Sequence, residues 1–73
     1  MTTSTTAAFN AGVAFAQFLN SDPREAQNWG ELSATDGIPE GDYIELKNEF
    51  GECTREMELQ FQLGFNQTFE SVL

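Results

Sequence analysis

Five carboxylates, Asp42, Glu45, Glu49, Glu52 and Glu56, recur at intervals of three or four residues. On a helix that spacing lines them along one edge, over about 21 Å of axis. Three chemistries are open to such a row: paired acid and base catalysis, cation binding, and docking on a basic surface. Catalysis would need a sheltered carboxyl with a shifted pKa, and an exposed row keeps ordinary values and makes poor general acids near neutral pH. For cations, Asp36, Glu40 and Asp42 lack the D-x-[DN]-x-[DN]-G order of a calcium loop and offer at best a weak, adventitious site. Docking remains, because little counter-charge is interleaved. Arg55 can reach Glu52 and Glu58, whereas Lys47 has no acid three or four residues away. The four neighbouring acid pairs repel by about 1 to 2 kcal/mol in total. A charged helix edge is also the ordinary solvated face of a small domain, and this second reading stands beside the first.

The rest of the composition narrows the chemistry further. The 73 residues contain no histidine, which removes the usual general base near neutral pH and the commonest metal ligand. Cys53 is the single cysteine, so no internal disulfide can form, and its place among apolar residues suits a small core side chain. There is no CxxC, GxSxG or glycine-rich phosphate loop. No catalytic residue, cofactor or metal is expected, and the chain is not read as an enzyme. Twelve acids against three bases give a net charge of −9. That balance opposes direct nucleic-acid binding and attachment to an anionic membrane, and it points to a basic protein as partner.

The carboxylates can share an edge only if the segment carrying them is helical. Tyr43, Leu46, Phe50, Cys53, Met57, Phe61, Phe65, Phe69 and Val72 also step by three or four, and their phase carries through Gly51 without a slip. Against this, Glu56 to Leu63 alternates polar and apolar as a half-buried strand would. Residue type arbitrates. Glu, Met, Leu and Gln are good helix formers, and from Tyr43 to Phe69 only Ile44, Thr54 and Thr68 are β-branched. Helix is favoured, with a β-hairpin over 42–69 in an α+β fold as the alternative. Gly51 and Gly64 each cost about 1 kcal/mol against alanine, and Gly51 is the place for a kink or break.

Residues 1–6 read as a frayed polar start in which a threonine or Ser4 can cap the next helix. Ala7 to Asn20 then forms a helix without a single charge, apolar on more than one side. Ala8, Gly12 and Ala16 could admit another helix closely. With only 73 residues to cover it, the helix is expected to be shared between the core and a self-association interface that uses Phe9, Gly12, Phe15, Leu59 and Leu63. The alternative is a central helix wrapped by its own chain. Asp22, Pro23 and Glu25 form a cap, a first-turn proline and a third-position acid, opening a short helix that carries Ala26, Trp29 and Leu32 inward. Residues 33–41 are a loop, after which Asp42 and Glu45 offer a second cap.

These elements predict a single all-α domain over 1–73 with three helices: an apolar first, a short second, and a long or kinked third. A core this small calls for a second copy, so a homodimer is expected. No cationic leader precedes the first apolar run, which carries Asn10 and Gln17, so neither a signal peptide nor a membrane span is expected and the cytosol is the expected location.

Two functions fit. The first is an inhibitor or decoy whose acids, Asp42, Glu45, Glu49, Glu52 and Glu56, occupy the basic groove of a nucleic-acid-binding protein. A DNA strand presents a phosphate about every 3.4 Å of axis. The acid row presents a carboxylate about every 5 Å, so a second copy would be needed to match the density. In size and charge the chain resembles small acidic phage-encoded counter-defence proteins, a likeness that covers no specific motif and identifies no family. The second is a self-assembling scaffold, able to sequester a small ligand between subunits, in which the acids only keep the assembly dissolved.

Overall fold

The structure, a computed structural model, describes residues 3–33 and 35–70, and among these it contains helices and no strand. Four helices follow in order: α1 (Ser4–Asn20), α2 (Pro23–Ala26), α3 (Glu40–Phe50) and α4 (Arg55–Thr68). The expected α-helical class holds, and the hairpin alternative over 42–69 does not. The count of three helices is corrected to four, because the third divides at Gly51.

Local chemistry accounts for each boundary. Thr3 caps α1, its hydroxyl accepting the Thr6 N–H at 3.2 Å, so Ser4 to Thr6 form the first helical turn. Met1 and Thr2 lie outside the described residues. Asp22 caps α2 with Pro23 behind it, but the helix lasts one turn, and Trp29 and Leu32 reach the core from the irregular chain beyond it. α3 starts at Glu40, directly after Pro39 and without a side-chain cap. Asp42 therefore sits inside the first turn and does not cap the helix as expected.

Gly51 ends α3 in the left-handed region (φ 81°), its N–H donating to the Lys47 carbonyl at 2.7 Å. Only glycine adopts that conformation without strain. Thr54 then restarts the helix. Its hydroxyl accepts the Met57 N–H at 3.2 Å while its own N–H donates to the Met57 thioether at 3.3 Å. Two helix-start donors are thus satisfied reciprocally, with sulfur in the place usually taken by a glutamate.

α1 is the hub, packing mainly on α4 and more lightly on α2 and α3. Ala8, Gly12, Ala16 and Leu19 form its buried row, facing Met57, Phe61, Gly64 and Phe65 of α4. The crossing is tight enough to exclude a methyl group on either helix. A Cβ at Gly12 would strike the Phe61 carbonyl oxygen, and one at Gly64 would strike that of Phe9. The small-residue row on α1 therefore serves an internal contact.

The apolar step row survives the break at Gly51 except at its first member, Tyr43, which is exposed. Leu46, Met57, Phe61 and Phe65 are buried, and Phe50, Cys53 and Phe69 lie against them. Val72 is outside the described residues. Phe15 joins the rings together, 5.0 Å from Trp29 and 5.9 Å from Phe65 between centroids. Two asparagines fasten the remaining chain. Asn20 donates to the Thr68 carbonyl at 2.9 Å and accepts from the Glu70 N–H at 2.8 Å, which ties the C-terminal ends of α1 and α4 together. The Asn66 amide pairs with both backbone groups of Leu32, each at 2.8 Å, and holds that residue against α4. Among the described residues one buried polar group is unsatisfied, the side-chain nitrogen of Gln62.

Candidate functional site

Division of the third helix redistributes the acid row. Asp42, Glu45 and Glu49 lie on α3, Glu52 on the connection after Gly51, and Glu56 in the first turn of α4. The straight 21 Å edge expected from spacing is replaced by an elbow. Glu45, Glu49, Glu52 and Glu56 are exposed. Only the pairs Asp42–Glu45 and Glu45–Glu49 remain helical neighbours, so the repulsion falls to about 0.4 to 1 kcal/mol.

Counter-charge is scarce in the folded chain. Among the described residues there is one ion pair, Arg55 to Glu58 at 3.2 Å. Lys47 leans toward the Tyr43 ring, its ammonium 6.0 Å from the centroid, and not toward a carboxylate. From Glu40 to Glu58 the chain carries seven acids, and in the structure Glu58 is the one that meets a cation.

Asp42 differs from the others. Burial against the core, and then the neighbouring Glu45 carboxylate, push its pKa above the usual aspartate range. The helix dipole at the α3 start favours its anion, and desolvation outweighs that effect. The sign follows directly. A raised folded pKa contributes stability that is complete below the unfolded value of about 3.9 and is lost as pH rises through the folded value. Asp42→Asn should therefore raise the melting temperature at pH 7 and have almost no effect at pH 3, as thermal melts followed by circular dichroism would show.

Burial and the nearby Glu58 also raise the Cys53 thiol, which keeps it protonated and weakly nucleophilic near neutrality. Among the described residues no three acidic or thiol groups come together to hold a metal ion. Among the same residues no helix is long and apolar enough to cross a membrane.

The residues expected to self-associate fall into two groups. Gly12 is consumed by the crossing with α4, and Phe15 is half-buried against Trp29, Phe61 and Phe65. Phe9 is half-buried, with its backbone against Gly64. Leu59 and Leu63 remain outside, 41% and 45% exposed, on the face of α4 turned from α1. Phe18 of α1 is also outward, at 55%.

A groove of about 330 Å³ opens beside Trp29. Half-buried Trp29, Leu32, Ile38 and Pro39 line it together with exposed Glu31 and Asp36. Trp29, read from the sequence as either a core anchor or an exposed contact residue with core favoured, is half-buried against the core at the side of this groove, which no local pattern announces. Sequence reasoning missed Asn66, which fixes one side of the groove; an asparagine within an apolar helical run was the available signal.

Compared with known proteins, the chain matches no family model, no curated protein and no solved structure.

Proposed function

We propose that this protein is an acidic binding module that docks on a basic, nucleic-acid-binding protein and blocks its groove. The observation that carries this reading is the nearly uncompensated acid surface running from α3 through the Gly51 elbow to the start of α4. A face serving only as a solvated exterior gains from interleaved lysines, and here, among the described residues, Lys47 and Arg55 leave six of seven acids without an ion pair. Charge density, and not the regular spacing of a nucleic-acid strand, is what the elbow offers, so recognition is electrostatic and sensitive to salt.

The test is capture of basic proteins from a lysate of the native host at low and high ionic strength. Replacing Glu45, Glu49, Glu52 and Glu56 together with glutamine should abolish salt-sensitive capture while leaving the melting temperature equal or slightly higher, since repulsion is relieved. Retained capture by this variant would end the reading.

A second reading is favoured by Leu59 and Leu63, two leucines one turn apart on an outward face. In this reading they pair copies of the chain into a scaffold, and the acids keep it dispersed. Sedimentation at several concentrations separates the two. Leu59→Ser with Leu63→Ser should halve the mass of a dimer with little loss of fold, and a monomeric parent protein would remove the scaffold.

A further inference from the structure

We propose that the groove beside Trp29 receives a single arginine side chain of the basic partner. This rests on the docking reading above and adds a specific point of recognition to it. The lining states the ligand's chemistry. Four apolar residues, Trp29, Leu32, Ile38 and Pro39, suit an aliphatic stem or a flat group, while the exposed acids Glu31 and Asp36 stand on its lining, Asp36 with one oxygen already taken by the Ser33 N–H. A cation with an apolar stem matches both halves. Among the described residues no lysine or arginine of the chain lines the groove, so that charge must come from outside. The same carboxylates repel phosphate and other anions.

Size and framing point the same way. Small-molecule sites run from about 300 to 1,000 Å³, and this groove lies at the lower end, nearer to one long side chain than to a nucleotide. Its walls are set before any ligand arrives. Asn66 holds Leu32 by two hydrogen bonds. Asp36 accepts the Ser33 N–H at 2.6 Å across the turn. Gly37 reverses the chain at φ 74°, where nothing would meet a side chain but the backbone itself demands glycine. The indole is steadied edge-on by Phe15 at 5.0 Å and by the tilted ring of Phe65 at 6.1 Å. Preorganisation of this kind reduces the entropy lost on binding. Arginine fits better than lysine, because a planar guanidinium stacks on an indole and engages carboxylates through paired N–H donors.

Trp29 is the only tryptophan, so its fluorescence reports on the groove directly. The experiment titrates the full chain, at constant ionic strength, with a short uncharged-flank peptide containing one arginine, and with the same peptide carrying citrulline or lysine instead. A saturable change in Trp29 emission with the arginine peptide is expected, about tenfold or more weaker with citrulline, whose loss of charge removes the charge-assisted hydrogen bonds. Glu31→Gln, at an exposed position, should weaken the arginine peptide several-fold. Glu45→Gln with Glu49→Gln should leave that affinity unchanged while reducing capture of the partner. Equal responses to arginine and citrulline, or a silent Trp29, would overturn the groove. Salt-sensitive capture persisting beside a silent Trp29 would overturn the groove alone and leave the docking reading in place.

Discussion

Gly12→Ala should lower the stability of this protein by about 1 to 3 kcal/mol, the range for forcing extra volume into a packed core. For a chain of this size each kcal/mol moves the melting temperature by about 4 to 8 °C, so the loss is large and easily read by circular dichroism at 222 nm. The direction is opposite to what helix propensity alone predicts. In an open helix the same change gains about 1 kcal/mol. At Gly12 the new methyl would strike the Phe61 carbonyl oxygen, with the carbonyl carbon at 2.9 Å and the Phe65 nitrogen at 3.0 Å. Those are backbone atoms of a helix and cannot swing aside as a side chain would, so the helices must shift at the crossing. Gly64→Ala should behave alike, since its methyl meets the Phe9 carbonyl. Gly41→Ala is the control: it lies in α3 with nothing within 4 Å and should stabilise. Equal behaviour of Gly12→Ala and Gly41→Ala would show that the crossing is looser than described.

Phe65→Ala should cost about 3 to 5 kcal/mol, the usual loss when a buried phenylalanine is cut to a methyl. Total stability at about 0.05 to 0.15 kcal/mol per residue is about 4 to 11 kcal/mol for 73 residues. The variant therefore sits at or near the limit of folding. Phe65 is fully buried and packs against three rings, Phe15, Trp29 and Phe69, at 5.9, 6.1 and 5.0 Å between centroids. Its removal should also shift Trp29 emission, because the indole loses one of its two aromatic supports. Urea titration read by both fluorescence and circular dichroism measures the loss, and a change below 1 kcal/mol would mean that the rings repack without it.

The helical class was legible because the aromatic row from Leu46 to Phe69 and the buried row of α1 both follow the helix period. Periodicity reports which side of an element is covered, and it did so even across Gly51, where the phase continued although the helix did not. The break was legible only as a possibility. Its second half, Thr54 three residues ahead of Met57, was overlooked because the usual glutamate was absent and a thioether took its role. The acids of the row could be named from the sequence, but their straight line does not survive in the fold, since spacing yields a line only while one helix persists.

By itself the sequence determined the excess of carboxylates over cations, the absence of imidazole chemistry, and a set of apolar positions that only helices can bring to one side. Each of these is a property of residue types and their local period, which the chain carries wherever it folds. Tertiary structure alone decided which helix the glycine-containing row would meet, that α4 of the same chain would fill it, and that Asn66 would fix Leu32 beside a groove with Trp29 at its side. Those outcomes depend on contacts between residues more than thirty positions apart, such as Leu32 with Asn66 and Asn20 with Thr68, and no local rule of spacing encodes which distant partner a side chain will find.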